Sequence, residues 1–244
     1  MFPIRDINPT RIFPIITIGL IAANVLVFFG WQNGMSGTEA EIEDFLYENA
    51  AVACELKSGD PLTISEIDTT ECGDTGTERF PEKNVLLSVV VSMFLHGGLV
   101  HLLGNMWFLW IFGNNVEEAF GSLGYLAMYL ASGVAATAAF VFANAGSTDP
   151  LVGASGAIAG VLGSYLVLFP KHRVLSLVVF FFVPVPALLF LGIWFLSQFG
   201  ISDVSVAWEA HVAGFVFGLL VTLPLRSFLL SRIARLHATS PYRV

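Results

Sequence analysis

Charge is what this sequence has least of. Only 12% of its 244 residues are Asp, Glu, Lys or Arg, about half the roughly 25% of an average soluble domain. A chain so poor in charge cannot clothe an ordinary water-soluble fold. Basic residues are the scarcer sign, 11 Lys and Arg against 19 Asp and Glu, for a formal net charge of −8. That leaves no basic footprint for nucleic acid. Cysteine is limited to Cys54 and Cys72, with no histidine near either, which argues against a metal site. No clear internal repeat is present, and repeats are frequent in transporters.

Apolar residues fill the space instead. Hydrophobic residues make up 55% of the chain and the mean hydropathy is +0.76, enough for several membrane spans of about 20 residues each. Short connections between apolar runs of this length suit helices rather than a barrel. The expected fold is therefore an all-α membrane protein. Its first run, Ile12 to Trp31, follows Arg5 and Arg11 and is long for a signal peptide, so it reads as a retained signal anchor. Five more spans are expected at about 99–113, 123–143, 151–169, 174–196 and 206–225. The stretch before the second, "NVLLSVVVSMFLHGGLV", breaks at Gly97-Gly98 and reads as a membrane-embedded part of the preceding loop.

That loop, residues 32–83, is polar and holds 13 of the 19 acidic residues between Glu39 and Glu82. About fifty residues is long for a structureless connection, which suggests some fold of its own. Both cysteines lie in it, either bridged, which would restrict the loop, or as two free thiols. Eight of the eleven basic residues fall in segments that share one side of the membrane if the N-terminus is inside. By the positive-inside rule both termini are cytoplasmic and the acidic loop is external. The expected organisation is a cytoplasmic segment over 1–11, a six-helix membrane domain over 12–225 and a basic cytoplasmic tail over 226–244. Glu117 and Glu118 fall in an inner connection, where either solvation or a capping hydrogen bond accounts for them.

Polar side chains inside spans are costly and each needs an account. Asn105 follows His101 by four residues and shares its helical face. Ser155 lies about one turn into the fourth span and His211 one to two turns into the sixth. The second, fourth and sixth spans all begin on the outer side, so these four groups share one depth. Each alone is explained by helix packing or interhelical hydrogen bonding; four at one depth invite a common explanation. Gly156, Gly160 and Gly163 recur at helical spacing on the fourth span, as do Gly214 and Gly218 on the sixth. Two such stripes packed together would bring Ser155 to His211. A serine hydroxyl needs a neighbouring base to act as a nucleophile, and acyl transfer needs donors at the oxyanion, which His101 and Asn105 could supply. Within the neighbouring spans no Asp or Glu appears at that depth except Asp203 and Glu209, both near the outer end of the sixth, so a Ser-His dyad is favoured over a triad.

"HLLGN", "GASGAIAG" and "HVAGFVFG", in order on the second, fourth and sixth spans, resemble the rhomboid family of intramembrane serine proteases, as does "FLHGGLVHLLGNMWFLWIFGNNVEEAFG". The resemblance covers about Val91 to Leu225. It implies a six-transmembrane-helix rhomboid-like bundle with a long first external loop partly embedded in the membrane. It further implies Ser155 as nucleophile, His211 as general base, His101 and Asn105 as oxyanion donors, and Gly153 as the residue shaping the turn before the serine. His96 matches a position where a supporting hydrogen bond is expected. The fifth span becomes a candidate gate, with Pro184 and Pro186 interrupting its helix. No cofactor or metal is implied. The implied partners are the lipid bilayer and transmembrane protein substrates, cut near the outer boundary at a small residue where the helix is weak, because a helical backbone hides its carbonyls in hydrogen bonds. A plasma-membrane location follows from the same picture; the oligomeric state does not. Two departures stand out. The Trp-Arg pair that many relatives carry in the first loop is missing, with Arg79-Phe80 a weak substitute. Ala159 stands where some relatives place an aromatic against the histidine, so something else must orient His211. Competing readings are a transporter or channel using the same polar groups to line a cavity, and an inactive relative that escorts membrane clients.

Overall fold

The computed structural model describes residues 1–34, 36–200 and 206–239. Asp203 and the end of the tail lie outside them. The elements in chain order are β1 (Phe2–Asp6), α1 (Ile15–Leu26) continued by a wider turn (Val27–Trp31), α2 (Glu39–Asn49), β2 (Ala51–Val52), α3 (Ala53–Ser58), α4 (Ile64–Thr69), α5 (Val85–Val91), a 3-10 turn (Ser92–Phe94), α6 (Leu99–Phe120), α7 (Ser122–Ala143), β3 (Pro150–Leu151), α8 (Ser155–Leu168), β4 (Arg173–Val178), β5 (Phe181–Pro186), α9 (Ala187–Gln198) and α10 (Trp208–Thr239).

The chain is a mostly helical membrane protein. Among the described residues, α7 and α10 are each long and apolar enough to cross a membrane, and Val85–Phe94 with Leu99–Phe120 pass together as a pair bent by 77°. Ile15–Trp31, α8 and α9 are shorter apolar helices. The bend falls at the Gly97-Gly98 break, and α6 continues seven residues past the Gly113 expected as its end. The sixth apolar run likewise continues as one helix into the basic tail, carrying Pro224 inside it.

Helix α8 is the hub, buried along nearly its whole length and packed against α6, α7 and α10. The glycine stripes lie face to face. A Cβ on Gly218 would stand 2.0 Å from the Gly160 carbonyl oxygen, and one on Gly163 2.1 Å from that of Phe215. Backbones this close leave no room for side chains, which is why both stripes are glycine. Around them sits one apolar core that includes Phe112, Tyr125, Tyr129, Leu162, Tyr165 and Phe215.

The structure corrects the fifth span. Residues 174–186 are not helical: β4 and β5 form an antiparallel hairpin, and β1 adds to the other edge of β4, pairing Phe2 with Leu177 and Asp6 with Val174. Only α9 remains of that helix. Pro184 and Pro186 lie in β5, so they interrupt no helix and the proline-kinked gate has no structural basis. The physical reason is local: β-branched and aromatic residues dominate "VLSLVVFFFVPVP", favouring strand, and proline ends a helix before it. Strand β1 runs back along α6. The Arg11 N–H donates to Glu118, Asn115 Nδ2 donates to Asp6 Oδ2 at 2.6 Å, and Trp107 Nε1 donates to the Pro3 carbonyl at 2.7 Å.

The acidic loop folds. Thr38 with Glu41, and Thr63 with Glu66, form capping boxes that start α2 and α4, satisfying first-turn N–H groups reciprocally. Tyr47, Val52, Cys54 and Leu62 make a small separate core. Cys54 and Cys72 are joined by a disulfide, resolving the two alternatives in favour of the bridge. Lys83 meets Glu55 at 2.5 Å with both side chains buried and donates to the Tyr47 carbonyl at 2.6 Å. Burial is the largest influence on this pair, pushing the Glu55 carboxyl up and the Lys83 ammonium down. The lobe is sewn to the helices by β2, which pairs antiparallel with β3 just ahead of Ser155.

Capping, not solvation, accounts for Glu117. It is fully buried and accepts from the Ile16 N–H at 3.0 Å, the Thr17 N–H at 2.9 Å, Thr17 Oγ1 at 2.9 Å and Ser122 Oγ at 2.9 Å, closing the start of α1. Glu118 is also buried and accepts from His237 Nε2 at 3.0 Å.

Candidate active site

Three helix starts converge at the lobe end of the bundle. Ser155 is the first residue of α8, His101 the third of α6 and His211 the fourth of α10. The first N–H groups of a helix have no partner within it, so the start of α8 presents free donors and the positive end of its dipole around Ser155.

Ser155 Oγ lies 2.8 Å from His211 Nε2. The glycine contacts produce this approach. The Gly156 carbonyl faces Gly214, three residues after His211 on α10, and a Cβ on Gly156 would meet that of Ala136 at 2.6 Å. The turn before the serine depends on Gly153, whose φ of 122° disfavours any side chain. A Cβ there would also stand 2.8 Å from Cε1 and Nε2 of the His101 ring and 3.6 Å from Ser155 Oγ. His101 and Ser155 thus flank one backbone position. The Gly153 N–H donates to the Ser92 carbonyl at 2.9 Å, while Ser92 Oγ accepts from the Ala51 N–H of β2 at 2.6 Å. Asn105, one turn beyond His101, is buried, and its Nδ2 has no hydrogen-bond partner among the described residues.

The expected supporting contact of His96 takes a different form. Its ring lies edge-on to His101 with centroids 5.1 Å apart. Its backbone is gripped by Gln32, which donates from Nε2 to the His96 carbonyl and accepts the His96 N–H at 3.0 Å. Arg79, half of the weak substitute for a Trp-Arg pair, is spent within the lobe on Asp44 at 3.2 Å.

Two residues at the His211 ring escaped the sequence reading. Gln198, the last residue of α9, places Oε1 2.8 Å from His211 Nδ1. Trp194, one turn earlier, lies with its ring centroid 6.3 Å from that of His211, the planes tilted by 36°. The histidine is therefore contacted from α9 and not from position 159, where Ala159 is buried beside Gly214. A polar residue ending an apolar helix is ordinary, so Gln198 gave no signal, and a Trp near the end of an apolar helix is commonly an interfacial aromatic.

Chemically, a hydroxyl, an imidazole in hydrogen-bond contact with it, free N–H groups and an unpaired amide form the parts list of acyl transfer. Among the described residues one cluster has the donor types of a metal site, Cys54, Glu66 and Cys72, but there the two sulfurs are bonded to each other.

The family model for the Rhomboid domain matches residues 83–228. Rhomboid protein 1, mitochondrial, of Saccharomyces cerevisiae is 31% identical over 164 residues, covering 58% of this chain and 45% of the yeast protein. Rhomboid protease GluP of Bacillus subtilis is 37% identical over 112 residues, covering 41% of this chain and 21% of its own length. Presenilin-associated rhomboid-like protein, mitochondrial, of Mus musculus is 27% identical over 199 residues, 78% of this chain and 49% of the mouse protein. The chain spans less than half the length of these relatives.

Proposed function

The chain belongs to the rhomboid family, and on that footing we propose that it is an intramembrane serine endopeptidase that cleaves single-span membrane proteins through a dyad of Ser155 and His211. The observation that carries this reading is the 2.8 Å contact between Ser155 Oγ and His211 Nε2. One relative, the Bacillus subtilis protein, is named a protease, and the same activity is proposed for this chain.

In the proposed reaction Ser155 Oγ attacks the scissile carbonyl carbon while its proton passes to His211 Nε2. The tetrahedral oxyanion is held by the N–H groups at the start of α8, by Asn105 Nδ2 and by His101, with Gly153 keeping the approach open. His211 then returns the proton to the leaving amine as the C–N bond breaks. Water attacks the acyl ester with His211 again as base, and Oγ leaves with the proton to give the carboxylic acid product and restore Ser155. Fixed donors act strongly in a dry site and need no reorganisation during the reaction.

The six apolar helices serve as six spans in this reading, with both termini on one side and the disulfide-bridged lobe on the other. Ser155 then lies just below the lobe side of the bilayer, where water and a substrate helix can both reach it. Two of the relatives are named as mitochondrial, which weighs against the plasma membrane as the default location.

The test is covalent labelling of the purified full chain in detergent with a fluorophosphonate probe, alongside cleavage of a model single-span substrate. Labelling of the wild type at Ser155, lost in Ser155→Ala together with cleavage, is the expected result. A wild-type protein that neither labels nor cleaves overturns the reading.

A further inference from the structure

A serine that gives its proton to histidine needs that imidazole in one tautomer. Nε2 must be bare to accept, so the ring proton must sit on Nδ1. In water the two neutral tautomers interconvert, and a buried ring takes the one its neighbours dictate. The neighbour at Nδ1 is Gln198, with Oε1 at 2.8 Å. Its amide cannot turn around at no cost. Nε2 of Gln198 donates to the Trp194 carbonyl at 2.9 Å and reaches Ser197 Oγ at 3.3 Å. A carbonyl oxygen only accepts, so the NH2 belongs on that side and the oxygen belongs on the histidine. The side chain is only 4% exposed, so water does not compete freely for either end.

The reversed amide would press an N–H against Nδ1 and force the proton onto Nε2. In that tautomer the imidazole would donate to Ser155 Oγ and could not deprotonate it. No carboxylate fills this place among the described residues, and the ring's two partners are Ser155 and Gln198.

We propose that Gln198 is the positioning residue of the site: its amide oxygen, fixed by the end of α9, holds His211 with Nδ1 protonated and Nε2 directed at Ser155. The proposal rests on the reading of Ser155 and His211 as the dyad. Trp194, one turn away on the same helix, lies tilted beside the ring at 6.3 Å, so α9 provides the orientation that the small side chain of Ala159 does not.

Gln198→Met keeps length and removes the acceptor; Gln198→Glu keeps an acceptor. For the full chain reconstituted in liposomes, Gln198→Met is expected to lower kcat on a single-span substrate roughly 100-fold, the low end of what a general base contributes, with KM unchanged. Fluorophosphonate labelling should slow in proportion, and Gln198→Glu should recover most of the rate. Imidazole 15N spectra read the same point without any substitution: the wild-type His211 should be the Nδ1–H tautomer. Wild-type kcat in Gln198→Met, no recovery in a folded Gln198→Glu, or an Nε2–H tautomer in the wild type overturns the proposal. A wild-type chain that shows the Nδ1–H tautomer but neither labels nor cleaves overturns the protease reading and leaves the Gln198 contact standing.

Discussion

Gly214 faces the carbonyl oxygen of Gly156 so closely that a Cβ on it would stand 2.0 Å away. The seam between α8 and α10 is therefore set by backbone contact, and the distance from Ser155 to His211 inherits that setting. A methyl group at this point cannot be absorbed by a rotamer change, because its neighbour is main chain.

Gly214→Ala should force α10 away from α8. Overpacking of this kind costs about 1–3 kcal/mol, and the expected kinetic result is a loss of kcat of at least roughly tenfold, since small misplacements of a base are expensive. Gly19→Ala is the control: nothing lies within 4 Å of its Cβ position, and both activity and thermal stability should be unchanged or improved. Equal activity in Gly214→Ala and wild type would show that the seam does not govern the dyad.

Glu117 closes the start of α1 with its carboxylate. Glu117→Ala strands two backbone N–H groups and two hydroxyls in a buried site, at a cost of about 3 kcal/mol if one or two find no new partner. Glu117→Gln keeps an acceptor and should cost less. Denaturant unfolding in detergent, followed by tryptophan fluorescence, measures the difference; the order Ala below Gln below wild type is expected.

The disulfide closes a segment with a sequence separation of 18 between Cys54 and Cys72. A loop of that size contributes about 3 kcal/mol in the chain-entropy account. Reduction, or the pair Cys54→Ser and Cys72→Ser, should expose the lobe to limited proteolysis well before the helices are cut. A lobe equally resistant with and without reductant would mean that its small core and the Lys83–Glu55 pair suffice.

Glu66 gives the lobe a pH dependence. Burial pushes its carboxyl up, but hydrogen bonds from Thr63, Gly73 and Asp74 outweigh this and hold it below its usual range. A group depressed on folding binds its proton more readily in the unfolded chain. Its contribution is therefore complete above the unfolded value of about 4.3 and is lost as pH falls through the lower folded one. Proteolytic resistance of the lobe at acid pH should fall more steeply in the wild type than in Glu66→Gln. Parallel curves for the two would remove Glu66 as the cause.

What could be read from the sequence was whatever repeats a rule. The glycines of α8 and α10 follow helical spacing, so the sequence shows that the two helices would bring Ser155 to His211 if their stripes packed together. Polar groups near the starts of three apolar runs could be aligned by depth once topology was assigned. Gln198 could not, because 13 residues and a connection separate it from His211 and no periodicity links them. The β4–β5 hairpin hid in a nearly continuous apolar run, where strand and helix look alike; Pro184 and Pro186 are compatible with a kinked helix as well as with an edge strand. The partnership of Gln32 with His96 joins residues 64 apart, a distance that only the folded chain closes.

Among the described residues no strand pairs with the outer edge of β5. The Ala187 N–H donates to the His172 carbonyl at 2.7 Å, and antiparallel ladders alternate, so the polar groups of Phe182, Pro184 and Pro186 point away from β4. Proline has no N–H, which leaves this border three carbonyls and one amide hydrogen. A neighbouring strand needs donors as well as acceptors to zip on. By placing two prolines at alternate positions the chain finishes its sheet in the manner of a hemmed cloth: a further strand would find one donor on this border where a ladder needs several.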